Sequence, residues 1–146
     1  LLFVSGLILV VTAWYTFLTF NGELEDSSSN INNLIFSFEG DKRHIVVIFE
    51  GIVKNSIKKA DRNDFENSFS NNFINLSGKV DSISEVSGNF FGKIRNKEFV
   101  LRKEAGSYNI TIEDVFVISS DGKNEFKRTF NLFIRFDENG ILASLP

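Results

Sequence analysis

The chain contains no cysteine, which excludes disulfides and thiolate metal sites and fits a location on either side of a membrane. Histidine occurs once, at His44, so sites built from several imidazoles are excluded as well. Lys and Arg form no run longer than an adjacent pair and the formal net charge is only −3, which argues against an electrostatic nucleic-acid surface. There is no glycine-rich phosphate loop, no nucleophile elbow, no recognisable pair of catalytic carboxylates and no internal repeat. No cofactor, no metal and no nucleic-acid partner are therefore expected. Polar-tipped aromatics are scarce too, with 2 Tyr and 1 Trp against 17 Phe. A Phe-rich composition of that kind describes a packed interior or an apolar pocket.

What is present begins with an uncharged run, LLFVSGLILVVTAWYTFLTF, opening with Leu1 and closing with Phe20. It is about as long as a bilayer-spanning helix requires, roughly 20 residues. The spacing and composition predict a transmembrane anchor, with Trp14 and Tyr15 near an interface. A cleavable signal is the competing reading, but the run is long for a signal's central region and no small-x-small site follows it. The next stretch, NGELEDSSSN, carries Glu23, Glu25 and Asp26 and no Lys or Arg before Lys42. By the positive-inside rule that flank faces away from the cytoplasm, which predicts a single-pass protein with its C-terminal domain in a periplasmic or extracellular space.

Residues 21–40 read as a polar linker with a short helix from the Ser/Asn cluster to Gly40, and residues 41–146 as one domain of about 105 residues. Within it, Ile45, Ile48, Phe49, Ile52, Val53 and Ile57 recur at helical spacing, with Asp41 placed as a cap. A short helix presenting Phe65 and Phe69 and a brief strand at Phe73-Ile74-Asn75-Leu76 follow the loop Asp61-Arg62-Asn63-Asp64. Val80, Ile83, Val86, Phe90 and Ile94 predict a third helix that tolerates Gly88. Period-two alternation then predicts strands at 98–104, 108–119, 124–136 and 141–145, with turns at Ala105-Gly106-Ser107, Ser120-Asp121-Gly122-Lys123 and Asp137-Glu138-Asn139-Gly140. The fold class expected is α+β: an N-terminal transmembrane helix, then three helices packed on a curved antiparallel sheet.

The segments IFEGIVKNSIKKADRNDFENSFSNNFINLSG, ISEVSGNFFGKI and FKRTFNLFIRFDENGILASL, in that order, resemble the nuclear transport factor 2-like, cone-shaped α+β superfamily. Its members include ketosteroid isomerase, polyketide cyclases, dehydratases, transport adaptors and the bitopic scaffold component of type IV secretion systems, whose layout of one anchor and one such domain is similar. The resemblance implies a pocket between the helices and the concave sheet face. In the enzyme members chemistry requires a carboxylate or His inside that pocket.

Asp114 is the one catalytic candidate, because it falls on the phase of Ile110, Ile112, Phe116 and Ile118 and so intrudes on an inward-facing row, where it would act as a general base or hydrogen-bond partner. The alternative is a bulge near Asp114 that turns it outward and lets Val115 and Val117 point inward. His44 lies off the apolar stripe of its helix and reads as solvated. Phe133 breaks the polar phase Lys127, Thr129, Asn131, Arg135 of its strand, which makes it and Phe116 the candidate binding residues. Three functions stay open. The first is a non-catalytic extracytoplasmic module that binds a protein partner or itself through the outer sheet face. The second is a small pocket enzyme using Asp114. The third is a filament subunit of pilin type with the apolar helix as filament core, a reading that must accommodate Ser5 and a third helix ahead of the strands.

Overall fold

The computed structural model describes residues 2–82, 88–120, 122 and 125–145, with side chains before Ile31 described only at Thr12 and Thr16. Helix α1, Leu2–Lys59, is followed by a 3-10 turn at Arg62–Asp64, then α2 Phe65–Asp81 and α3 Phe90–Arg95. Four strands complete the chain: β1 Val100–Glu104, β2 Ser107–Ser120, β3 Glu125–Phe136 and β4 Ile141–Leu145. They form one antiparallel sheet in the order β1-β2-β3-β4. The α+β class and the strand positions agree with the alternation of apolar residues in the sequence.

The helices differ from expectation in three places. First, α1 is continuous for 58 residues, so the backbone of 21–40 is helical throughout and Gly40 does not interrupt it. Nothing in the stretch forbids a helix: it holds no proline, its Ser, Asn and Glu cost tenths of a kcal/mol each, and its two glycines, Gly22 and Gly40, cost about 1 kcal/mol each. Packing outweighs that cost, because Leu34, Phe38, Ile45, Phe49, Ile52, Val53 and Ile57 are buried along one stripe on both sides of Gly40. Asp41 is consequently interior to a helix rather than its cap. Second, Phe73-Ile74-Asn75-Leu76 is helical. The four-residue spacing of the buried Phe65, Phe69, Phe73 and Ser77 dominates over the local apolar pairs that mimic a strand. Third, the last helix begins after Gly88, whose φ of 157° and isolated pairing with Val117 are extended rather than helical. Ile83 and Val86 lie outside the described residues.

Among the described residues no helix is long and apolar enough to cross a membrane. The expected anchor from Leu1 to Phe20 falls on residues whose side chains lie outside that description, apart from Thr12 and Thr16, and so do Trp14 and Tyr15.

The core lies between α1, α2, α3 and one sheet face. Ile110, Ile112, Val115, Val117, Leu132, Ile134 and Phe136 supply that face and are fully buried. Phe rings fill the layer above them. Phe69 stacks on Phe65 at 6.0 Å, on Phe73 at 5.9 Å and on Phe136 at 4.7 Å between centroids. Phe49 meets Phe73 and Phe90 edge-on, both at 6.0 Å, the arrangement that ring quadrupoles favour. An Arg95–Asp81 ion pair ties α3 to α2. In the link from α3 to β1, hydrogen bonds from Asn96 and then Lys93 hold the Glu98 carboxyl below the usual carboxylate range.

Candidate interaction surface

The sheet's second face is set by register. Thr111 pairs with Val100 on one side and Phe133 on the other, and Phe133 pairs in turn with Leu145. Directly opposed residues share a face, so these side chains form one lateral row across all four strands. Val100 and Leu145 are exposed at 44% and 62%, while Thr111 and Phe133 are half-buried. One register step away, Arg102, Asn109, Arg135 and Ala143 form a polar and basic row. A step the other way brings the exposed Glu113 and Asp114. A shallow concavity of about 180 Å³ lies over the apolar row, with Arg102, Glu104, Asn109 and Glu113 around Val100 and Phe133.

Phe116 belongs to the same face, two residues beyond the bulge. It is half-buried, and the Lys127 ammonium sits 3.9 Å from its ring centre, a cation–π contact. Its apolar surface is thus already covered in part, whereas Phe133 opens onto the concavity.

Asp114 stands in a β-bulge. The β2–β3 register shifts between Ile112 and Val115, both of which are buried, so two residues intervene where strict alternation allows one. Asp114 takes φ +52°, a left-handed conformation that Asp tolerates better than most residues, and its side chain is exposed. Two asparagines hold this geometry. The Asp114 N–H donates to Asn131 Oδ1 at 2.9 Å, while Asn89 donates through Nδ2 to the Asp114 carbonyl at 2.9 Å and accepts the Phe116 N–H on Oδ1 at 2.8 Å. Asn89 thereby does for β2 what a neighbouring strand would do. Asn89→Ala should cost about 1–3 kcal/mol, because it orphans one donor and one acceptor, and the Phe116 amide should lose its protection from hydrogen exchange. Unchanged protection would show that water replaces the side chain without penalty.

Among the described residues no carboxylate or histidine is buried in the interior where a pocket enzyme would work. The space between the helices and the inner sheet face is occupied by Phe49, Phe69, Phe73, Phe90 and Phe136, each at most 1% exposed, and Asp114 points away from it. His44 is exposed on α1. Among the described residues no cluster of His, Asp and Glu could hold a metal. Asp61 and Asp137 cap turns: the first accepts the Asn63 N–H, the second the N–H groups of Asn139 and Gly140. The broken polar phase of its strand placed Phe133 on the outer face, where it lies, but gave no sign of Val100, Leu145 or Asn89. Val100 and Leu145 join the row only through register, and Asn89 acts across 25 to 27 residues.

No family model, curated protein or solved structure matches this chain.

Proposed function

We propose that the chain is a non-catalytic, extracytoplasmic assembly module, anchored in a membrane by the apolar run from Leu1 to Phe20 and making its contacts through the outer sheet face. The observation that carries this reading is the lateral row Val100, Thr111, Phe133, Leu145, an apolar stripe bordered by Arg102 and Arg135 on one side and Glu113 on the other. An apolar centre with a charged rim is the anatomy of an interface. The Phe-filled interior supports the same reading, since it leaves the exposed face as the place for recognition. The proposed likeness to the nuclear transport factor 2-like superfamily rests on three helices followed by an antiparallel meander; the helical state of Phe73-Ile74-Asn75-Leu76 removes one piece of it.

Phe133→Ser tests the face directly. Thermal stability should fall by no more than about 1 kcal/mol, the range for a position outside the core, while self-association or partner binding weakens about tenfold or more. Paired thermal melts and sedimentation of the two proteins give the answer. A large drop in melting temperature with unchanged association would assign Phe133 to the core and remove this face from consideration.

The continuity of α1 favours a second reading. A helix of 58 residues whose apolar end leads into a packed amphipathic half also suits a subunit that buries that end among copies of itself in a filament. A chain beginning at Asn30 separates the two readings. As a membrane-anchored module it should remain soluble and folded, while the full chain requires detergent. Aggregation of the shortened chain, with its strands intact, would favour the filament.

A further inference from the structure

The two central strands are longer than their outer neighbours, and each leaves half of one edge without a strand beside it. The chain treats these half-edges differently. Along β2 the free half is closed by the Gly88–Val117 bridge and by Asn89, which bonds the Asp114 carbonyl and the Phe116 amide. Along β3 the fourth strand pairs only with Phe133, Ile134, Arg135 and Phe136. Among the described residues nothing pairs with 125–132 on the side away from β2. The residue after Leu145 is a proline, which has no N–H with which to extend that ladder.

We propose that this open edge of β3 is a docking site for an extended acidic segment of a partner protein, added as a further strand. The side chains specify the occupant. Lys127 lies on the outer face, and Arg128 lies on the inner face as the register partner of Val117. Both are exposed. On the inner side the Lys42 ammonium sits 5.6 Å from the Phe130 ring centre, with Arg43 beside it in α1. Glu125 stands at the end of the segment and Glu39 one turn back along α1, so the middle of the edge is basic in a chain whose net charge is −3. Phe126 and Phe130 flank Arg128 on the inner face, half-buried and in edge contact with Phe38 at 5.6 and 6.3 Å. A strand laid here places side chains opposite 126, 128 and 130 on that face. The complementary pattern is apolar, acidic, apolar, with a second acid opposite Lys127. Ladder hydrogen bonds supply the affinity of such an addition and side-chain pairing its selectivity. A second copy is the poorer occupant, because its own open edge brings the same Lys127 and Arg128 and like charges oppose pairing.

This inference concerns the sheet's edge and stands whether or not the outer face self-associates. The probe is the capped heptapeptide Thr-Val-Thr-Glu-Glu-Val-Thr, added to the full chain in neutral detergent, with hydrogen exchange and amide shifts read across β3. Binding should protect amides within 126–131, weaken several-fold as salt screens the pair, and weaken at least tenfold with Lys127→Glu combined with Arg128→Glu. The milder pair Lys127→Gln and Arg128→Gln should give an intermediate loss, and melting curves of both variants confirm that they fold. The peptide with Lys in place of both Glu residues should not protect these amides. Equal protection by that peptide, no protection by the acidic one, or protection that grows with protein concentration in its absence would each overturn the proposal. In the last case a second copy takes the edge.

Discussion

Phe69→Ala should unfold much of the population at temperatures the parent protein withstands. Phe69 is fully buried in α2 and its ring lies against Phe65, Phe73 and Phe136 at 6.0, 5.9 and 4.7 Å. Truncation removes the transfer energy of the ring and leaves a void that close-packed neighbours fill only in part, a combination that costs about 3–5 kcal/mol. Domains of this size have about 5–15 kcal/mol in total, so the melting temperature should fall by about 10–20 °C. Phe69→Leu keeps most of the volume and should lose far less. Thermal and denaturant melts of the two variants decide the matter; if Phe69→Ala cost under about 1 kcal/mol, the ring layer would not be the close-packed interior described above. The contrast with Phe133→Ser is informative, since Phe69 packs from α2 onto the inner sheet face whereas Phe133 lies on the outer face, half-buried.

Gly88→Ala should be nearly as damaging for a different reason. A Cβ built at Gly88 would meet the Phe116 carbonyl oxygen at 2.2 Å and its carbon at 3.3 Å. The obstacle is backbone in a paired strand, so no rotamer change relieves it. The φ of 157° adds a conformation that side-chain-bearing residues rarely adopt. The Gly88–Val117 bridge must open, and Asn89 must move with it, releasing the Asp114 carbonyl and the Phe116 amide. A loss of about 2–4 kcal/mol is expected, the sum of local strain and orphaned polar groups. The denaturant midpoint should drop while the exchange rates of the Phe116 and Val117 amides rise. A midpoint within about 0.5 kcal/mol of the parent would show that this crossing relaxes freely, and that Asn89 closes the β2 edge without help from Gly88.

The sheet was legible in the sequence because period-two alternation is a local property. Phe130, Leu132, Ile134 and Phe136 announce one buried face without knowledge of any partner strand. Asp114 is instructive in this respect. The sequence posed two readings, an inward carboxylate or a bulge, and the burial of Val115 and Val117 beside the shifted register selects the bulge. The helices were less legible where competing local signals overlapped. Gly40 and the Ser/Asn cluster resemble a break, yet Phe38 finds partners in Phe126 and Phe130 and Leu34 is buried on the same stripe, and that burial extends the helix through them. The pairs in Phe73-Ile74-Asn75-Leu76 resemble a strand only when Phe65 and Phe69 are read separately.

By itself, the sequence determined the α+β class, the four strands, the turns at 105–107 and 137–140, a Phe-rich interior, and the absence of thiolate or multi-histidine chemistry. These follow from composition and from periodicities that depend on backbone geometry alone. Tertiary structure decided the rest. Register brought Val100, Thr111, Phe133 and Leu145, from four strands, into one row, and nothing in a single strand encodes its alignment with another. Strand length against strand length left half of one β3 edge without a paired strand among the described residues, while Asn89, 25 to 27 residues distant from the groups it bonds, closed the edge of β2. The proposed interaction surface depends on such long-range pairings, because a face or an edge is a property of several segments together.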